Sequence, residues 1–261
     1  MDIARLFDVR GKTALVTGAS GGIGYMIAEG LVAAGSKVFI CSRKAADISA
    51  AAERLAANGG EVIAMPADLS TAEGIAAVAE AVNAAGPLHI LVNNAGATFG
   101  APLERFPREG FEKVLRLNLL APFELTKALL PALEAAATRE DPARVINIGS
   151  IDGIKLPQWE SYPYSATKAG LMQMSRHLGK FVAGRDISVN TIAPGFFRSK
   201  MTGTVVDFDN PEEVAAVASP LGGRYGATED IVGAVIYLSS RAGAWVTGVT
   251  IPVSGGRATV E

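Results

Sequence analysis

The chain has 261 residues, 49% hydrophobic and 19% charged, enough to bury a substantial core within one domain. A formal charge of −2 leaves no cationic surface of the kind that neutralises phosphate backbones, so no nucleic-acid partner is expected. With one cysteine, Cys41, and two histidines, His89 and His177, neither an internal disulfide nor a Cys/His metal site is expected, and Cys41 reads as a buried strand residue.

The N-terminal M-D-I-A-R-L-F-D-V-R-G-K has no basic segment running into an apolar one, and no stretch reaches about 18 uninterrupted apolar residues. A soluble, cytoplasmic protein without a membrane partner is expected. Next come K-T-A-L-V-T (12–17), then Ile27, Leu31 and Ala34 at helical spacing, then K-V-F-I-C (37–41), E-V-I-A-M (61–65) and H-I-L-V (89–92). R-V-I-N-I (144–148), I-S-V-N-T-I (187–192) and V-T-I-P-V (249–253) complete the set. Runs this continuously apolar suit strands covered on both faces, and the alanine-rich stretches between them supply crossover helices. Right-handed β-α-β crossovers predict an α/β, Rossmann-type, doubly wound parallel sheet of about seven strands, spanning 1–261 as one domain. The irregular segment 197–220 follows the sixth run, where it is placed to cover a substrate.

After the first run comes T-G-A-S-G-G-I-G, Thr17 to Gly24. Glycines at 18, 22 and 24 permit a tight turn, close approach of backbone to a pyrophosphate, and close packing of helix on strand. The spacing is G-x-x-x-G-x-G, not G-x-G-x-x-G, so a dinucleotide site follows by mechanism more than by pattern. The same residues fit G-x-S-x-G with Ser20 as nucleophile, which would make the chain a hydrolase. A triad would then need His177, but that residue falls within the apparent helix Ser165 to Val182, on a half-exposed face, and His89 reads as a strand-end residue. The second run ends in Ser42 and Arg43, where an acid would repel a 2′-phosphate and a small residue followed by arginine leaves room and charge for one. NADPH/NADP is therefore expected over NADH/NAD, although Gly21 offers no second basic group in the glycine loop.

In S-Y-P-Y-S-A-T-K-A-G, Ser161 to Gly170, Tyr164 and Lys168 stand at i and i+4 on one helical face, whereas Tyr162 has Ala166 at that position. A phenol is a poor acid or base at neutral pH, and a neighbouring ammonium together with an oxidised nicotinamide would stabilise its phenolate. Lys168 is therefore expected to tune Tyr164 downward.

T-G-A-S-G-G-I-G, Asp68-Leu69, N-N-A-G at 93–96, the asparagine of L-R-L-N-L, I-G-S at 148–150, Y-S-A-T-K and A-P-G at 193–195 follow one another in this order. Over essentially its whole length the chain thus resembles the short-chain dehydrogenases/reductases. The resemblance implies that Ser150 polarises a substrate carbonyl, Tyr164 transfers the proton, Lys168 holds the nicotinamide ribose, and Asn118 positions a relay water. It also implies cofactor contacts at Gly18, Ser20, Gly21, Gly22, Ile23, Gly24, Arg43, Asp68, Leu69, Asn94, Ala95, Gly96, Tyr164, Lys168, Pro194, Gly195, Phe197 and Ser199. Hydride delivery to a carbonyl creates an oxyanion, so a hydroxyl donor within reach is chemically required.

This chain departs from the family pattern at His89, where an acid is commoner, and at Ser199, where threonine is commoner. The 151–163 segment is about one residue longer, and its Trp159 and Pro163 are candidates to shape the pocket. Within the family the chain looks most like the 3-oxoacyl thioester reductases, including the type that makes rhamnolipid precursors. An acidic acyl carrier would then need a basic rim, for which Arg139, Arg144 and Arg185 are the candidates. Ketones of sugars, polyols, steroids or xenobiotics are the alternative substrates, and a dinucleotide-sensing protein without turnover the alternative class. The resemblance of Ser240 to Gly256 to a region that packs between subunits implies a homotetramer, or a dimer.

Overall fold

In the computed structural model, which describes residues 2–57 and 59–259, each apolar run noted above forms a strand. A single turn, α1 (Ile3–Leu6), precedes β1 (Thr13–Thr17), α2 (Gly22–Ala33), β2 (Lys37–Ser42), α3 (Ala45–Ala56), β3 (Val62–Pro66), α4 (Ala72–Ala84) and β4 (Ile90–Asn93). After β4 come α5 (Arg108–Leu115), a π-helical turn at Arg116–Leu120, α6 (Ala121–Ala128), α7 (Leu130–Ala136) and β5 (Ala143–Ile148). The chain then forms α8 (Tyr162–Val182), β6 (Ile187–Pro194), α9 (Pro211–Val217), α10 (Thr228–Ser239) and β7 (Thr250–Val253). The sheet is parallel throughout, in the order β3-β2-β1-β4-β5-β6-β7, so the crossover direction reverses between β1 and β4.

Alternation along each strand divides the core in two. Ala14, Val16, Val38, Ile40, Val92, Ile146 and Ile192 pack with α2, α3 and α10. Leu15, Phe39, Cys41, Leu91, Val145 and Val189 pack on the opposite face with α4, α6 and α7. Both faces being covered explains why these runs read as uninterrupted apolar sequence. No helix among the described residues is long and apolar enough to cross a membrane.

The N-terminal edge of the sheet holds a buried ion cluster. Lys12 Nζ donates to Asp141 Oδ1 (2.9 Å) and to the Ser239 carbonyl (3.0 Å). Arg144, only 1% exposed, donates to the carbonyls of Leu238 and Ser240 and to Asp141. His89 anchors this edge by a different route from an acid: its Nδ1 accepts from the Thr13 amide (3.0 Å), and burial, reinforced by Lys12, lowers its pKa and favours the neutral imidazole that this bond needs.

This edge corrects the expected basic rim. Arg144 is interior, Arg139 is exposed in the loop leading into β5, and Arg185, paired with Glu134, lies at the C-terminal end of α8. All three are at the strand starts, and along α8 Arg185 stands about 30 Å from Tyr164 at the helical rise. A charge inside an apolar run is silent about burial, because the carbonyls that satisfy Arg144 come from the C-terminal end of α10 and the residue that follows it, far along the chain.

Arg144→Met removes one of the two cations paired with Asp141 and the side-chain donor to the Leu238 and Ser240 carbonyls, and is expected to lower unfolding free energy by about 3 kcal/mol. Arg139→Ala is expected to leave chemical denaturation nearly unchanged. Equal effects from the two would contradict this assignment.

Candidate active site

The site lies at the opposite edge, beyond the strand C-termini, where two loops are laced together at the β1–β4 switch. Thr17 Oγ1 accepts from the amides of Asn94 and Ala95, both at 3.0 Å, and the Asn94 side chain donates to the carbonyls of Thr17 (2.9 Å) and Gly18 (3.2 Å). Gly18 takes φ +68°, and a Cβ there would stand 2.8 Å from Ala95 Cα, so the turn requires glycine. Gly22, at φ +57°, opens α2 with room for a Cβ only 2.9 Å from Ser199 Cβ, so the segment after β6 rests directly on the glycine loop. Ser199 and Thr202 bond reciprocally through amides and hydroxyls, and Thr202 Oγ1 donates to the Phe197 carbonyl (2.7 Å), which fixes that segment's first turn.

A cleft of about 480 Å³ runs between these loops. It is lined by Gly18, Ser20, Gly21, Gly22, Ile23, Arg43, Leu69, Asn94, Ala95, Gly96, Ser150, Tyr164, Lys168, Pro194, Gly195, Phe197 and Ser199. Two residues implied as cofactor contacts stand outside that lining. Gly24 packs helix on loop beside Asn94 and Gly18, and Asp68 closes a turn by accepting from the amide and hydroxyl of Ser70.

The reactive groups meet where α8 begins against the end of β5. Helix α8 starts a turn earlier than expected, at Tyr162, with Pro163 in its first turn, where a missing N–H is harmless. Lys168 is 4% exposed and donates to the Ile148 carbonyl at 2.7 Å. Its ammonium also stands 5.7 Å from the Tyr164 ring centroid. Tyr164 hydrogen-bonds Ser150, whose Oγ in turn accepts from the Asp152 amide at 3.1 Å and caps the turn Ile151–Gly153.

Burial dominates the electrostatics of the pair. Burial pushes the Tyr164 phenol up to about 12, offset in part by Ser150, with the nearby Asp152 carboxylate adding to the rise. The same burial lowers Lys168 to about 8. Within the protein alone, desolvation outweighs the Ser150 hydrogen bond, so Tyr164 is held as a phenol, the form that donates a proton.

Asn118 sits in the π-helical turn, a widening often found at functional sites. Its Oδ1 accepts from the Ala97 amide (2.8 Å), and its Nδ2 donates to the Ala97 carbonyl (2.9 Å) and to Thr167 Oγ1 (3.2 Å). Beside it Gly96 is packed closely: a Cβ there would stand 3.3 Å from Asn118 Oδ1 and 3.7 Å from Lys168 Nζ.

At the far end of the cleft the residues suit a phosphorylated ribose. Ser42 Oγ is buried without a hydrogen-bond partner, next to the exposed Arg43 and Lys44. A buried orphan hydroxyl beside two cations matches an anionic acceptor.

Residues 12–210 match the family model described as short chain dehydrogenase. The chain belongs to the short-chain dehydrogenase family. It is 45% identical over 251 residues to the rhamnolipids biosynthesis 3-oxoacyl-[acyl-carrier-protein] reductase of Pseudomonas aeruginosa, covering 96% of this chain and 97% of that one. Its fold superposes with TM-score 0.92 on a Pseudomonas aeruginosa RhlG/NADP active-site complex, 45% identical, covering 97% of this chain and 99% of that one. A gluconate 5-dehydrogenase from Burkholderia cenocepacia in complex with NADP and tartrate superposes at 0.89 with 28% identity, each chain fully covered.

Several parts of the dehydrogenase's site escaped the sequence reading. The Ile148 carbonyl that seats Lys168 is a backbone atom with no residue signature. Asp152, Lys44, Asp47 and Lys200 belong to the site's surroundings, yet in sequence they are ordinary charges in turns; only Lys44, adjacent to Arg43, carried a usable signal. Tyr162, the neighbour without a lysine, donates to Glu160 Oε2 (2.7 Å), which also accepts from the Leu103 amide (2.9 Å). Its ring meets Phe106 edge-on at 5.6 Å, so it clasps two rim loops together. Trp159 similarly packs edge-on against Phe196 at 5.8 Å, at the cleft's border.

Proposed function

We propose that this dehydrogenase reduces a carbonyl to a secondary alcohol with NADPH, and that its substrate is a 3-oxoacyl thioester. The observation that carries the reading is the Ser150–Tyr164 pair, seated by Lys168 in the same cleft that the glycine loop walls. NADPH supplies the hydride. Tyr164, held protonated by burial, donates its proton to the developing alkoxide, and Ser150 shares the charge through its hydroxyl. Lys168, whose ammonium stands 5.7 Å from the Tyr164 ring centroid, is the group through which Tyr164 would recover a proton. Ser42, Arg43 and Lys44 support NADPH over NADH.

The thioester substrate is supported by the similarity to the 3-oxoacyl reductase and by a groove of about 620 Å³ within residues 198–213, where Val205, Val206 and Phe208 supply apolar lining. We assign segment 197–220 as the cover over that substrate, within one domain. A second reading, a polyhydroxylated ketone, is favoured by the Asp152 carboxylate next to Ser150 and by the similarity to the gluconate 5-dehydrogenase. A sensor without turnover has no use for the seated Tyr164–Lys168 pair.

The proposed assembly is a homotetramer in the cytoplasm. Two apolar faces are exposed: Phe111, Leu115, Leu120 and Phe123 on α5, the π-turn and α6, and Trp245 (99% exposed) with Phe181 and Val249 near the C-terminus. Two self-complementary faces generate a tetramer, and one alone a dimer.

Tyr164→Phe is expected to lower turnover about a hundred- to ten-thousand-fold while NADPH binding persists, and Tyr162→Phe to retain the chemistry and at most shift substrate preference. Comparable activity in both variants would sink the mechanism. NADPH and NADH consumption across 3-oxoacyl thioesters of several chain lengths, cyclic ketones and keto sugars tests the substrate; faster turnover of keto sugars overturns the thioester. In light scattering, Trp245→Ala is expected to convert tetramer to dimer, and an unchanged mass would remove that face from the assembly.

A further inference from the structure

The segment after β6 crosses the mouth of the cleft and touches both walls. Ser199 lies against Gly22 on one side. One residue later Lys200 reaches the other side, where its Nζ stands 3.9 Å from Asp47 Oδ2 in the first turn of α3. The Lys200 side chain is 95% exposed and the pair is long, so the contact contributes little to stability. It does show where the ammonium reaches: the patch that holds Arg43, Lys44 and the buried, unpartnered hydroxyl of Ser42.

No side-chain hydrogen bond or salt bridge holds Arg43 or Lys44 among the described residues, and Arg43 interacts with a neighbouring carboxylate only at longer range, helping to lower the pKa of Asp68. Three cations and a hydroxyl donor against two carboxylates, Asp47 and the more distant Asp68, keep a net positive set suited to a phosphate monoester, which offers more charge and more acceptor oxygens than Asp47 does. Thr202 and Ser199, bonded to each other and to the Phe197 carbonyl, make the start of this segment a unit that moves with Lys200.

We propose that Lys200 is a cofactor-binding residue whose ammonium leaves Asp47 for the 2′-phosphate of NADPH, so that segment 199–206 closes over the cleft in response to that phosphate. The inference rests on the NADPH reading above and deepens it: cofactor choice is made from two sides, by the end of β2 and by the cover.

The test needs no turnover. 2′,5′-ADP and 5′-AMP differ only in the 2′-phosphate, and their dissociation constants are measured for the wild-type protein, Lys200→Met and Lys200→Arg, along with amide hydrogen exchange over 199–206. Lys200→Met is expected to weaken 2′,5′-ADP about tenfold, as for one charge-assisted contact, and to leave 5′-AMP unchanged. 2′,5′-ADP should slow exchange in 199–206 in the wild type and in Lys200→Arg, but not in Lys200→Met. Equal weakening of both nucleotides would move the ammonium to the shared 5′-phosphate and overturn the proposal, as would no weakening of either. A wild-type protein that binds the two nucleotides equally would overturn the NADPH reading along with it, whereas a wild-type preference unaltered by Lys200→Met overturns the proposal alone.

Discussion

A lysine ammonium buried against one backbone carbonyl is the constraint around which the site is arranged. Lys168 donates to the Ile148 carbonyl at the last residue of β5, and this bond, with that of Asn147 to Ser175 two turns on, ties α8 to the sheet. Once Lys168 is seated, Tyr164 one turn earlier has one place to be, over Ser150 two residues beyond the same strand. A buried cation with a single protein acceptor is costly, and its pKa falls to about 8 as a result. It keeps its charge near neutrality with little to spare, which makes it responsive to any further group that shares the proton.

The same burial sets the tyrosine. Raised to about 12, the Tyr164 phenol retains its proton until an alkoxide appears beside it, and Ser150 is already hydrogen-bonded in position to take part of that charge. The other groups around the cleft act through position. Asn94 stitches the glycine loop to the loop after β4, Asn118 pins the latter through Ala97, and Glu160 with Tyr162 ties the rim at Leu103. Each tie joins elements distant in sequence, so the cleft's shape is a property of the parallel sheet bringing its strand ends to one edge.

The strands and the glycine turn were readable because their causes are local. A sheet covered on both faces needs continuous apolar runs, and only glycine fits at 18, where φ is positive and Ala95 crowds the turn. The choice of Tyr164 over Tyr162 was readable from helical spacing. What the sequence withheld depends on distant partners. Arg144 reads as a surface charge because the carbonyls of Leu238 and Ser240 that bury it come from the distant C-terminal end of α10 and its capping residue. Equally invisible in a motif is the burial of both groups, which raises the Tyr164 phenol and lowers the Lys168 ammonium in the protein alone.

The central claim is that Tyr164 is a buried phenol whose ionisation is governed by the cleft and its cofactor. Tyrosine labelled with ¹³C at Cζ reports phenol and phenolate directly by NMR, and Tyr164→Phe assigns its signal among the five tyrosines. In the free protein this signal should remain that of the phenol to a higher pH than an ordinary tyrosine, and NADP⁺ should move its ionisation downward while the other four stay put. A Tyr164 signal that titrates near 10 with and without NADP⁺ would contradict the claim.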